Sequence, residues 1–147
     1  MIRAATEKTS PKDFRNLGYV RVCAATPSLT IGDAAANADA ILAQADALAD
    51  QGVSLAVFPE LCLTGYSAED LFFSEALLQQ TRRALMLLQR TRVPLLAVGA
   101  PWRLADGRLV NCAVMIGAGR VLGMVPKSFL PNYSEYYEQR WFVSGNG

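Results

Sequence analysis

Two opposite charges stand where apolar runs stop. Val53 to Phe58 ends at Pro59 and delivers Glu60, and Val121 to Val125 ends at Pro126 and delivers Lys127. Ligands of open α/β sheets bind beyond the carboxyl ends of strands, so both side chains could enter one crevice. There they have two readings. One is a structural ion pair, or two independent surface charges of the kind common at strand ends. The other is a candidate active-site feature, in which the two charges compensate each other's burial beside a ligand. A carboxylate left unpaired at the lip of an apolar strand is costly to bury, roughly 2 to 7 kcal/mol even for a merely polar group, and such a placement points to use.

Other residue types narrow the chemistry. The 147 residues include no histidine, so a Ser-His-Asp triad, a Cys-His pair and a His-ligated metal are excluded within the chain. Acid and base work falls to Glu, Asp, Lys, Tyr or Cys. Cys23, Cys62 and Cys112 lack CxxC spacing and suggest neither a disulfide framework nor a zinc site; no metal is expected. Cys23 and Cys112 fall inside strand patterns and Cys62 lies two residues after Glu60, so all three read as packing residues. With 14 basic and 13 acidic residues the net charge is +1, which offers nothing to attract nucleic acid or an anionic membrane. The absence of a long apolar run and of a signal-peptide pattern predicts a cytoplasmic protein.

Elements that could position Glu60 and Lys127 follow from periodicity. Residues 1–18 read as a polar N-terminal arm and 19–147 as one domain or the front portion of one. Val20 to Ala25 predicts a buried strand. Asp33 to Gln51 predicts a helix with Ala38, Ile41, Leu42, Ala45, Leu48 and Ala49 on one face, capped by Thr30 or Asp33 and closed by Gly52. Strand two is Val53 to Phe58, followed by a loop over 60–73. Ser74 can cap a second helix whose Leu77, Leu78, Thr81, Leu85 and Leu88 share a face, while Arg82, Arg83, Arg90 and Arg92 read as a solvated group. Leu95 to Ala100 predicts a third strand leaving through Pro101-Trp102. Asp106-Gly107 and Gly117 to Gly119 mark turns into strands Leu109 to Ile116 and Val121 to Val125. Ser128 to Gly147 reads as a loop with one short helical turn. This order predicts an α/β layer with helices on one face of a mixed sheet and the other face left for a partner. The loop after strand one, with a single glycine, lacks the phosphate cradle of a nucleotide-binding fold.

FPELCLTGYSAEDLF (58–72) and PKSFLPNYSEYYEQRWF (126–142), with weaker support from GYVRVCAATP (18–27), resemble the nitrilase superfamily of carbon-nitrogen hydrolases. Within that superfamily they look like the glutaminase domain of the glutamine-dependent NAD+ synthetase branch. The resemblance implies part of a nitrilase-like α-β-β-α sandwich, incomplete in this chain. It further implies a Glu-Lys-Cys triad in which Glu60 is the general base and Lys127 stabilises the oxyanion. Glu138 resembles a second glutamate that orients the lysine, with Glu135 a near neighbour that could be meant instead. Tyr66 and Tyr133 resemble residues lining a glutamine pocket; turn or packing roles are the ordinary alternative.

In that family the nucleophilic cysteine follows the lysine by a long stretch, and none of the three cysteines here matches it. The implied reaction is attack on the side-chain amide of glutamine, release of ammonia and hydrolysis of a thioester. The ammonia would amidate nicotinic acid adenine dinucleotide on a synthetase domain, absent from this chain, that uses ATP and Mg2+. No cofactor is expected on this chain, and a homo-oligomer is expected of the family. Alternatives are a non-catalytic, truncated α/β module that binds a partner, and another carbon-nitrogen hydrolase, an amidase or nitrilase. The chain alone is expected to hydrolyse no glutamine.

Overall fold

A computed structural model describes residues 14–146. Most of the expected N-terminal arm lies outside them. Its described end, Phe14–Leu17, is a 3-10 turn, with the Arg21 guanidinium 4.7 Å from the centre of the Phe14 ring.

Five strands form one sheet in sequence order: β1 (Arg21–Ala24), β2 (Val53–Val57), β3 (Leu95–Arg103), β4 (Leu109–Gly117) and β5 (Arg120–Pro126). The first three are parallel, as crossovers through helices require, and β3, β4 and β5 are antiparallel hairpin neighbours. The mixed α/β sheet expected from the element order is therefore present. Helix α1 (Ala34–Asp50) crosses from β1 to β2, and α2 (Glu75–Leu88) belongs to the crossover from β2 to β3. Asp33 caps α1 by accepting from the Ala36 amide, and Gly52, at φ +74°, closes it.

Strand alternation sorts the sheet into two unlike faces. Register puts Ala56, Leu96, Val98, Ala100, Cys112, Val114 and Ile116 on one face, where every one is buried in a common core with Ile41, Ala45, Leu78, Leu85 and Leu88 of the helices. The opposite face carries Val22, Val57, Leu95 and Val125 at 61, 41, 37 and 63% exposure. Of the α2 face expected from periodicity, Leu77, Leu78, Thr81, Leu85 and Leu88 are all buried.

Five expectations need correction. β1 is not a buried strand but the exposed edge of the sheet, because it has one strand neighbour and neither side is fully covered. β3 does not leave at Pro101; it continues to Arg103, with Pro101 opposite Asn111. The loop over 60–73 contains a kinked 3-10 segment, Tyr66–Phe73, and Ser74 sits at the start of α2 without a side-chain capping bond. The arginines are not a uniformly solvated group: Arg92 bonds Asp46 and Asp50 of α1, and Arg82 lies 5.5 Å from the Trp102 ring centre.

Candidate active site

The turn that presents Glu60 is shaped by close backbone packing. Leu63 N donates to the Gly99 carbonyl at 3.2 Å, and Gly65 N to the Leu61 carbonyl at 2.8 Å. Leu61 occupies the left-handed region at φ +50°, a strained choice for a branched residue that persists because its side chain is buried. Gly99 makes the approach feasible: a Cβ there would lie 2.2 Å from the Leu61 nitrogen. Lys127 follows β5, with its amide donating to the Asn111 carbonyl at 2.7 Å and its own carbonyl accepting from Gly145 at 2.9 Å.

These supports bring the two charges together. Lys127 Nζ donates to Glu60 Oε1 at 2.8 Å and to Glu138 Oε1 at 2.9 Å. Glu138 Oε1 also accepts from the Tyr66 hydroxyl at 2.7 Å, while Glu138 Oε2 is buried without a partner. Glu138 reaches this position because it begins the 3-10 turn Glu138–Arg140, whose end is anchored by Trp141 and Phe142 packing on Phe72 at 5.6 and 4.9 Å between ring centres. Glu135 is exposed, so Glu138 is the neighbour that meets the lysine.

Glu60 is less buried than expected, its side chain being 41% exposed, and it is paired with Lys127. Burial falls on Glu138, at 2%. Desolvation pulls the Lys127 ammonium down, but its bonds to Glu60 and Glu138 outweigh that and hold it above the ordinary lysine range. Lys127 therefore remains a cation throughout neutral pH. Burial, then the bond to Glu138, pushes the Tyr66 phenol far above its ordinary value.

A cavity of about 380 Å³ lies beside the cluster on the open side of the sheet, lined by Glu60, Asn111 and Lys127 together with apolar groups including Phe58, Ala97 and Val125. Tyr66 is joined to the cluster through Glu138 but does not line this cavity. Tyr133 is 68% exposed, packs edge-on against Tyr136 and is not brought to the cluster. The residue missed from sequence is Asn111, whose Nδ2 donates to Glu60 Oε1 at 2.5 Å. A lone amide inside the apolar run LVNCAVMI was its only signal.

Two of the three cysteines are buried. Cys62 is buried with its sulfur against Gly99, which donates to it at 3.4 Å, and burial pushes its thiol up to about 11. Cys112 borders the cavity, but strand alternation sets it on the helix-covered face, and burial raises its thiol to about 11 as well. Cys23 lies half-buried on β1. Among the described residues, no group of three His, Cys, Asp or Glu could hold a metal ion, and no helix is long and apolar enough to cross a membrane.

Residues 19–146 match the carbon-nitrogen hydrolase family. The chain is 50% identical over 133 residues to glutamine-dependent NAD(+) synthetase of Mycobacterium tuberculosis, covering 88% of this chain and 19% of that protein. It is 34% identical over 127 residues to the protein of the same name from Thermotoga maritima, covering 86% and 22%. Its fold superposes on the glutamine-dependent NAD+ synthetase of Acinetobacter baumannii with a TM-score of 0.81 at 33% identity, over 84% of this chain and 24% of that one. An amidase from Nesterenkonia sp. shares the fold at a TM-score of 0.73 and 23% identity, over 86% and 48%. The chain thus spans about one fifth of the length of the curated relatives it matches.

Proposed function

The chain belongs to the carbon-nitrogen hydrolase family, and on that premise we propose that it forms the base-and-cation part of a glutaminase site within a glutamine-dependent NAD+ synthetase. The observation that carries this reading is the Lys127 ammonium held between Glu60 and Glu138 beside a largely apolar cavity. Glu60 takes the proton of an attacking thiol and returns it to the leaving ammonia. Lys127, still charged, stabilises the oxyanion that forms on the amide's carbonyl oxygen when the thiolate attacks its carbon, a contribution of about 3 to 4 kcal/mol for one well-placed donor. Glu138 and Tyr66 hold the lysine in place.

The thiol in this reading is none of Cys23, Cys62 or Cys112, and is supplied by polypeptide outside these 147 residues. Thioester formation and hydrolysis then release ammonia for amidation of nicotinic acid adenine dinucleotide. ATP and Mg2+ belong to a synthetase segment in this scheme, and no described residue is assigned to them. A cytoplasmic homo-oligomer is the setting that accompanies it.

Glutamine hydrolysis by the intact polypeptide that contains this chain tests the proposal. Ammonia release lost on Glu60→Gln and on Lys127→Met supports it. Absence of glutaminase activity, or activity indifferent to both substitutions, overturns it. The isolated 147-residue chain should release no ammonia; release that disappears on Cys62→Ala would overturn the assignment of the cysteines.

A further inference from the structure

Asn111 stands apart from the other uncharged polar side chains of the core. Asn37 bonds only backbone groups, at Thr30 and Leu63, and Thr81 bonds the Leu77 carbonyl one helical turn away. Those bonds satisfy the fold. Asn111 is equally buried, at 3% exposure, yet its amide donates to a carboxylate of the candidate site. Its backbone carbonyl accepts from the backbone amide of Lys127, so one residue of β4 ties the base and locates the lysine.

We propose that Asn111 is a positioning residue for the general base, selecting which oxygen of Glu60 accepts the proton. This inference rests on the glutaminase reading of the site. Glu60 Oε1 receives both Asn111 Nδ2 at 2.5 Å and Lys127 Nζ at 2.8 Å. Two donors on one oxygen occupy its acceptor directions and fix the plane of the carboxylate. Among the described residues no hydrogen bond reaches Oε2, and that oxygen takes the proton from the thiol. Lysine alone would not specify this, because an ammonium on a flexible stem is a rotatable point charge, whereas an amide anchored in a strand donates along a set direction. Asn111 also sits opposite Pro101, a residue without an N–H, on the same face as Ala113 beside the cavity. The charged and titratable groups around Glu60 are Lys127, Glu138 through that lysine, and Tyr66.

The test is Asn111→Leu, which keeps the branched outline of the side chain and removes the donor, in the intact polypeptide. The expected kcat for glutamine falls roughly ten- to a hundred-fold, the loss that goes with one hydrogen bond to a charged group. KM changes less than about two-fold, and the acid limb of the kcat/KM profile moves to higher pH, since the lost donor favoured the charged carboxylate. Asn111→Gln should recover part of both effects. An unmoved acid limb overturns the proposal, whether kcat/KM falls in step with the melting temperature, a packing role, or KM rises alone, a substrate-binding role. Should the leucine variant fail to fold, Asn111→Ser is read in the same way. If the wild-type polypeptide shows no glutaminase activity, the functional reading fails, and Asn111 is judged by carbon-13 NMR titration of the Glu60 carboxyl. A midpoint that differs between variant and wild type supports the positioning role; an unchanged midpoint overturns it.

Discussion

The molecule contains two clusters of the same composition, one cation between two carboxylates, with unlike consequences. Arg92 lies between Asp46 and Asp50 at 3.6 and 2.9 Å, and Lys127 between Glu60 and Glu138 at 2.8 and 2.9 Å. Distances do not separate them. In the first, Arg92 and Asp50 are 54 and 62% exposed, and both acids come from α1, one turn apart. In the second, Glu138 is 2% exposed, and the three charges come from three distant segments that converge beside a cavity. Water screens the first and leaves it a staple between α1 and the segment before β3. Partial exclusion of water makes the second a fixed field aimed at a space large enough for a small molecule.

Replacing each cation in turn tests that contrast most severely. Lys127→Met in the intact polypeptide should reduce glutaminase kcat by about a hundred- to a thousand-fold, the usual cost of removing one oxyanion donor. Arg92→Met should leave kcat within two-fold. Equal effects on activity would erase the distinction.

Removing an acid from each cluster sharpens it through stability. Glu138→Ala takes two hydrogen bonds from a buried oxygen and leaves Tyr66 and Lys127 each short of a partner, so urea unfolding should show a loss of about 2 to 4 kcal/mol. Asp46→Ala should cost less than about 1 kcal/mol by the same measurement.

Opposite pH dependences follow from the signs of the shifts. Arg92 holds the Asp50 carboxyl below its ordinary value, so the contribution of that pair is present at neutral pH and lost as the pH falls below about 4. Lys127 is raised, so its contribution is complete below the ordinary lysine value of about 10.4 and lost as the pH rises beyond it. The exposed Asp70, held at about 2 chiefly by Arg140, should behave like Asp50, its share fading from about pH 4 to pH 2. Melting temperatures of wild type minus Arg92→Met, and of wild type minus Lys127→Met, measured against pH, should converge at opposite ends of the range.

Salt should produce the smallest effect. Between 0.05 and 1 M NaCl the stability difference due to Arg92→Met should shrink towards zero, because the screening length falls to about 3 Å, while that due to Lys127→Met should largely persist.

Much of the second cluster was legible beforehand because its parts sit at chain landmarks. Pro59 and Pro126 mark where apolar runs yield charged residues, and the segments around them carry the family motifs. Asn111 was not legible, since an amide inside LVNCAVMI looks like an interruption of a strand until its register opposite Pro101 is known. Arg92 was misread for a related reason: its acids lie more than forty residues earlier, and no local pattern links them. Tyr133, likened to a pocket residue, is exposed and packs edge-on against Tyr136.

Periodicity, turn residues and side-chain chemistry, which are local properties, determined the helices, the strands, the Pro-Glu and Pro-Lys exits and a chemistry without histidine. Tertiary structure decided that Glu138 and not Glu135 meets Lys127, that Asn111 binds Glu60, and that Glu60, Asn111 and Lys127 border one cavity. Those outcomes depend on the register of β4 against β3 and β5, on the close approach of Gly99 to Leu61 and on the packing of Trp141 and Phe142 against Phe72. The last two are contacts between segments far apart in the chain, all three are selected by the packing of the whole core, and no short window of sequence carries that information.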